Sequence, residues 1–130
     1  MTTTTGFEVL LLDSSGWLEY FTEDDNAALF APYIEGNFLI IVPTIVLYEV
    51  HKKVLQGRGK AEAERVASQL MQRLIFPLGE DLALMAARVS VEFRLAMADA
   101  IVYATGLANQ AMVITGDVDF QGLPGAMVIA

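Results

Sequence analysis

Val9-Leu10-Leu11-Leu12-Asp13-Ser14-Ser15 joins four apolar residues to three helix-start residues. An apolar run of this length, without polar alternation, reads as a strand buried on both faces. Aspartate and serine cap the free amides of a helix N-terminus, and Trp17, Leu18 and Phe21 follow at helical spacing. The stretch is therefore a strand-to-helix joint of an α/β fold.

The remainder of the chain repeats the alternation. A second helix is expected over Asp24 to Ile34, stopped by Gly36-Asn37, and a second buried strand over Phe38 to Val42. Pro43-Thr44 then opens a helix to about Gln56, and Gly57-Arg58-Gly59 breaks it. Ala61 to Gln72 is rich in helix formers. Leu74 to Phe76 reads as a short strand ended by Pro77, and Glu80 to Phe93 as a helix with Leu82, Met85, Ala86 and Val89 on one face. Asp99 precedes or opens a helix ending near Asn109. Met112 to Thr115 is a strand, Gly116 to Asp119 a polar turn, and Met127 to Ile129 a last strand. Apolar strands separated by helices make a parallel sheet covered on both faces.

Composition narrows the chemistry. With 130 residues, one domain over 1–130 is expected. No cysteine is present, which removes disulfides, thiolate zinc and thiol catalysis, and the one histidine, His51, cannot build a multi-histidine metal site. Hydrophobic residues at 55% exclude a disordered acidic tail. A net charge of −8 argues against a broad basic surface for DNA. The opening residues carry no basic region, and no apolar run approaches the roughly twenty residues of a membrane span, so a cytoplasmic protein without membrane attachment is expected.

In a parallel sheet, ligands bind beyond the C-terminal strand edge, where the strand order reverses. Asp13 follows the first strand, and Asp117 and Asp119 follow Met112 to Thr115. Glu49 lies about two turns into the helix after the second strand, and Asp99 near the start of another. Each has a simpler reading. Asp13 and Asp99 could cap helices, Glu49 could pair with Lys53 on the surface, and Asp117 to Asp119 could be an Asx-rich turn. Together they are more specific. Crowded carboxylates raise one another's pKa, and a divalent cation relieves that repulsion. Oxygen ligands without histidine or cysteine point to magnesium or manganese and phosphate chemistry, not zinc.

Four stretches carry a family resemblance: LLLDSSGWLEYF at Leu10 to Phe21, VPTIVLYEVHKK at Val42 to Lys53, MADAIVYATG at Met97 to Gly106, and VITGDVDF at Val113 to Phe120. In this order they resemble the PIN-domain ribonucleases, and in particular the VapC-like toxins of toxin–antitoxin pairs. The resemblance implies a three-layer α/β/α domain around a mostly parallel sheet of four to five strands. It implies that Asp13, Glu49, Asp99 and Asp117 form an acidic quartet binding Mg2+ or Mn2+, with Asp13 and Asp117 the main ligands. Asp119 is similar to a variable fifth acid, Thr115 to a threonine that orients the first aspartate, and Ser14 or Ser15 assists. The implied reaction is hydrolysis of an RNA phosphodiester by metal-activated water, leaving a 5′-phosphate. The segment before Asp99 lacks the glycine or proline often found there, and Gly116 replaces a basic or polar residue.

The densest cations, His51, Lys52, Lys53, Arg58 and Lys60, follow Glu49. Lys52, Lys53 and Arg58 read as contacts for RNA phosphates, or else as charges complementing a helix C-terminus. His51 as a general base competes with an ordinary surface position, as substrate contacts do for Arg88 and Arg94. The aromatic residues Trp17, Tyr20, Phe21, Phe30 and Tyr33 read as core. The resemblance adds a groove over the first helices and the Glu49 helix for a basic antitoxin segment, and a homodimer. A magnesium domain of the TOPRIM type is disfavoured because its acidic pair lies mid-chain. A receiver domain is disfavoured because Leu74 to Phe76 leads into Pro77 with no aspartate. A PIN-like module that binds RNA or a partner without cutting would be marked by loss of quartet acids, and all four are present.

Overall fold

Leu10, Leu11 and Leu12 are completely buried, as are their neighbours Ile40 to Val42 and Val113 to Ile114 to within 1% of their surface. Only a central parallel sheet covered on both faces buries consecutive residues in this way. The computed structural model describes residues 8–129. The reading of the chain's opening residues falls on positions 1–7, outside the described residues.

The strands are β1 (Val9–Leu12), β2 (Leu39–Pro43), β3 (Leu74–Phe76), β4 (Met112–Thr115) and β5 (Ala126–Val128). They form one all-parallel sheet in the order β3-β2-β1-β4-β5. The helices are α1 (Ser14–Thr22), α2 (Ala27–Glu35), α3 (Thr44–Arg58), α4 (Lys60–Leu70), α5 (Glu80–Phe93) and α6 (Met97–Ala108). They flank the sheet as a three-layer α/β/α fold, pairing α1 with α2, α3 with α4, and α5 with α6. After β1 the chain proceeds to β2 and β3 on one side, then returns to β4 on the other. The strand order therefore reverses between β1 and β4, and the crevice beyond their C-terminal ends is the ligand position of such a sheet.

β2 and β5 are offset by one residue from the sequence reading, at Leu39–Pro43 and Ala126–Val128, and three helix ends move further. First, α2 begins at Ala27 rather than Asp24. Glu23 takes a left-handed conformation (φ 55°) that closes α1, and Asp24 is held in that closure, its amide donating to the Glu19 carbonyl at 3.2 Å. Second, α3 runs through Gly57 to Arg58. A helix tolerates an interior glycine at a cost of about 1 kcal/mol; the break falls at Gly59, where φ is +88°. Third, α4 ends at Leu70, two residues short of Gln72.

Two local features place Asp99. A Cβ on Gly106 would lie 2.7 Å from Val113 Cγ2, so glycine lets α6 lie close against β4. At the turn into α6, Arg94 adopts φ 57°, and the Leu95 amide donates to the Ser90 carbonyl. Arginine thus occupies the left-handed position that glycine commonly fills, which is how the chain turns there without a glycine or proline. Among the described residues, no helix is long and apolar enough to cross a membrane.

Candidate active site

The β1–β4 register sets Leu12 against Ile114. The next residue on each strand is therefore Asp13 and Thr115, and the Asp13 amide donates to the Ile114 carbonyl at 3.3 Å. Thr115 Oγ1 donates to Asp13 Oδ2 at 2.6 Å, and in turn accepts from the Asp117 amide at 2.9 Å. Ser15 Oγ donates to Asp13 Oδ1 at 2.6 Å and accepts from the Gly116 amide at 3.0 Å. Two hydroxyls, each engaged by a backbone amide, thus grip the two oxygens of one carboxylate. The Gly16 amide adds a third, longer bond to Oδ1 at 3.3 Å, so Asp13 also caps α1. The capping reading is correct, and it coexists with a place in the acidic cluster.

Asp13 is 6% exposed. Burial pushes its carboxyl above the ordinary range, the bonds from Ser15, Thr115 and Gly16 pull it back, and the charge of Asp117 adds a smaller upward push. Of Ser14 and Ser15, it is Ser15 that bonds Asp13, whereas Ser14 acts on the Glu49 carboxyl, pulling it down. The choice between the two serines is settled by helix direction. Ser15, two positions after the N-cap Asp13, turns its hydroxyl back onto the Asp13 carboxylate, whereas Ser14 is turned towards Glu49 on α3.

Glu49 is half-buried on α3, and burial raises its carboxyl, offset by the Ser14 bond and reinforced by the Asp13 charge. The alternative surface pair with Lys53 does not form: neither Lys52 nor Lys53 has an ion-pair partner among the described residues. Asp99 lies in the first turn of α6 and makes no side-chain cap. Its carboxyl is pushed up to about 7, first by burial, then by the charge and hydrogen bond of Asp117, and then by Asp13 and Asp119. Asp117 caps a short 3-10 turn (Val118–Phe120), its Oδ1 accepting from the Asp119 amide at 2.9 Å.

One carboxylate oxygen from each of Asp99, Asp117 and Asp119 lies within 4.8 Å of the other two. This triplet differs in emphasis from the expected quartet. Asp119 joins the tight group, while Asp13 stands beside it with its oxygens already engaged by hydroxyls. The Asp117-Val118-Asp119 spacing was the available signal: Asp117 caps the turn by accepting from the Asp119 amide, and that local bond keeps the two residues together. The donor set is all oxygen, which fits a hard divalent cation of the magnesium or manganese class. The upward push on Asp99, from burial first and from the neighbouring carboxylates next, is one that a bound cation would relieve.

The cations separate into two groups. Arg58 Nη2 donates to the Thr22 carbonyl at 3.3 Å, and Lys60 approaches Glu64 at 3.9 Å. Both are engaged at the far end of α3, away from Glu49. Lys52 and Lys53 remain on the Glu49 side of the helix. His51, two residues from Glu49, is turned about 200° around the helix, and its Nδ1 is buried. That orientation does not favour a general-base role. Trp17 and Phe30 are core, and Tyr20, Phe21 and Tyr33 pack partly buried against it.

A groove of about 450 Å³ crosses α1, α2 and α4, lined in part by Tyr20, Phe21, Ala31, Glu35, Arg65 and Gln69. Its walls come from α4 rather than from the Glu49 helix.

No curated protein sequence matches the chain. Solved structures of known proteins share this fold. A toxin–antitoxin complex from Klebsiella pneumoniae is 22% identical, with 92% of this chain and 96% of that one covered and a TM-score of 0.79. VapC20 from Mycobacterium tuberculosis, described as a toxin cleaving the sarcin-ricin loop, is 16% identical over 88% of this chain and 95% of that one, TM-score 0.74. VapBC2 from Rickettsia felis, bound to a promoter DNA fragment, is 16% identical over 93% and 97%, TM-score 0.72. At these identities the likeness is one of fold. The PIN domain model matches residues 10–126, from the first strand to the last. The acids at the β1–β4 switch point thus stand within a match that spans the sheet, and the chain belongs to the PIN-domain family.

Proposed function

We propose that the protein is a divalent-metal-dependent endoribonuclease that acts as a VapC-like toxin and is restrained by a cognate antitoxin. The observation that carries this reading is the convergence of Asp13 from the β1–α1 joint, Glu49 from α3, Asp99 from α6, and Asp117 and Asp119 from the turn after β4, on the crevice where the strand order reverses. Family membership and the likeness to toxin structures support it.

Asp99, Asp117 and Asp119 would hold a magnesium or manganese ion, with Asp13 adding the lone pairs its hydroxyl partners leave free. When bound, such an ion supplies polarisation of a phosphoryl oxygen and a more acidic water. The protein's own residues do the remainder. Ser15 and Thr115 hold Asp13 in one rotamer, so its oxygens are placed before substrate arrives. Glu49 is half-buried with a raised carboxyl, which suits it to accept a proton from the attacking water at its free oxygen. Lys52 and Lys53, without carboxylate partners among the described residues, attract the RNA phosphates that the net charge of −8 would otherwise repel.

The groove over α1, α2 and α4 is the proposed seat of the antitoxin, with Glu35 at its edge offering a partner for a basic side chain. The apolar cavity of about 300 Å³ between α5 and α6, beside exposed Met97, supports the homodimer reading. A cytoplasmic location goes with the toxin role.

The test is cleavage of mixed cellular RNA by the antitoxin-free protein with Mg2+, Mn2+ or chelator, beside an Asp13→Asn, Asp117→Asn double variant. Metal-dependent 5′-phosphate ends that vanish in the variant are expected. A folded protein that neither cuts RNA nor gains thermal stability from either metal overturns the proposal.

A further inference from the structure

Tyr48 is 58% exposed on α3, immediately before Glu49. The buried stripe of this helix is Val46, Val50 and Val54, and Tyr48 lies roughly opposite it, at about 100° per residue. The core therefore makes no use of its ring. Lys52 Nζ stands over one face of that ring at 5.8 Å from its centroid. Lys52 is three positions after Glu49 and four after Tyr48, so it lies between them around the helix. The acid that faces the active site, an unpaired cation and an exposed aromatic ring thus form one continuous strip.

A lone exposed aromatic needs no explanation. This one lies beside two cations that have no carboxylate partner among the described residues, on a chain with twice as many acids as bases, 16 against 8. Aromatic rings interleaved with cations are how proteins grip single-stranded nucleic acid: the ring stacks a base and the cation holds the neighbouring phosphate.

We propose that Tyr48 stacks a nucleobase of the substrate beside the scissile phosphate, while Lys52 and Lys53 hold flanking phosphates. This rests on the nuclease reading above. The free face of Tyr48, with Lys52 covering the other, takes one base of any identity, because every base has a π-face. Stacking here does not select sequence.

The test uses a fluorescein-labelled oligoadenylate ten-mer and a matching ten-mer of abasic ribose phosphates. Binding is read by anisotropy in an Asp117→Asn background with Mg2+, which the proposed mechanism renders silent for cleavage. Tyr48→Ala is expected to weaken binding of oligoadenylate between about fivefold and about a hundredfold. Tyr48→Phe is expected to retain binding and Tyr48→Leu to fail like alanine, since area without a π-face does not stack. On the abasic strand all four proteins should bind equally. Lys52→Ala is expected to weaken both probes alike and to lower the salt slope by about one unit. Tyr48→Ala within twofold of its parent on oligoadenylate, or an equal loss on the abasic strand, overturns the stacking role. Cleavage of RNA by the wild-type protein in Mg2+ is measured in parallel. Cleavage with no Tyr48 effect removes only this inference, whereas absent cleavage and absent binding remove the nuclease reading and this inference together.

Discussion

Asp99→Asn should make the metal-free protein more stable at neutral pH. The Asp99 carboxyl is pushed up to about 7 in the folded chain by burial and by Asp117, Asp13 and Asp119. In the unfolded chain it returns to about 3.9. Between these values the folded state holds a proton that the unfolded state has released. Stability therefore falls as pH rises through that window and levels off above about 7. A displacement of about three units corresponds to about 4 kcal/mol at most. Asp99 is only half-buried, and solvent screening reduces this to about 1–2 kcal/mol. For a chain of this length the asparagine variant should then melt about 3–8 °C above the wild type at pH 8 in chelator. The gap should shrink towards zero as pH falls below about 4, where Asp99 becomes protonated in the unfolded state as well. Asp13 and Glu49 are raised in the same direction, but they remain in both proteins, so the difference between melts isolates position 99. Saturating Mg2+ should reverse the order: at a hundredfold excess over its Kd it adds about 2.7 kcal/mol to the protein that binds it. A variant no more stable than wild type at pH 8, or a gap that does not change between pH 4 and pH 8, would refute the account of the cluster.

Three further substitutions probe the scaffold. Thr115→Val removes the hydroxyl shared by buried Asp13 and the Asp117 amide; urea unfolding should show a loss of about 2–3 kcal/mol with an unchanged slope, and Thr115→Ser should recover most of it. Gly106→Ala places a methyl 2.7 Å from Val113 Cγ2, and a loss of about 1–3 kcal/mol is expected by the same measurement. Arg94→Gly relieves a left-handed arginine at φ 57° and should gain about 0.5–1 kcal/mol in thermal unfolding; a loss there would mean that the arginine side chain matters more than its backbone.

The strands and most helices are legible in the sequence because each depends on a local pattern. Leu10 to Leu12 can only be a strand buried on both sides, and Pro43-Thr44 can only start a helix. The misplaced boundaries are those where a nearby conformation overruled composition: Gly57 stays helical because Gly59 takes the positive φ, and Asp24 is claimed by the closure of α1. The two serines after Asp13 were indistinguishable by type, and only the direction of α1 sends Ser15 to Asp13 and Ser14 to Glu49.

By itself the sequence determines an α/β chain whose acids follow its strands, in the order of the PIN family. It also determines a donor set confined to oxygen, because no cysteine and a single histidine are present. Which acids meet is decided by the tertiary structure. The β1–β4 register lays Asp13 beside Thr115 across 102 positions of chain, and Gly106 lets α6 bring Asp99 to Asp117. Which cations stay free is settled partly by packing: Arg58 finds the Thr22 carbonyl where α3 meets α1, Lys60 approaches Glu64 within α4, and Lys52 and Lys53 face solvent beside Glu49. The physical reason is common to both. Side-chain type is a local property of the chain, but electrostatic crowding and relief act through space, over distances that only strand register and helix packing set.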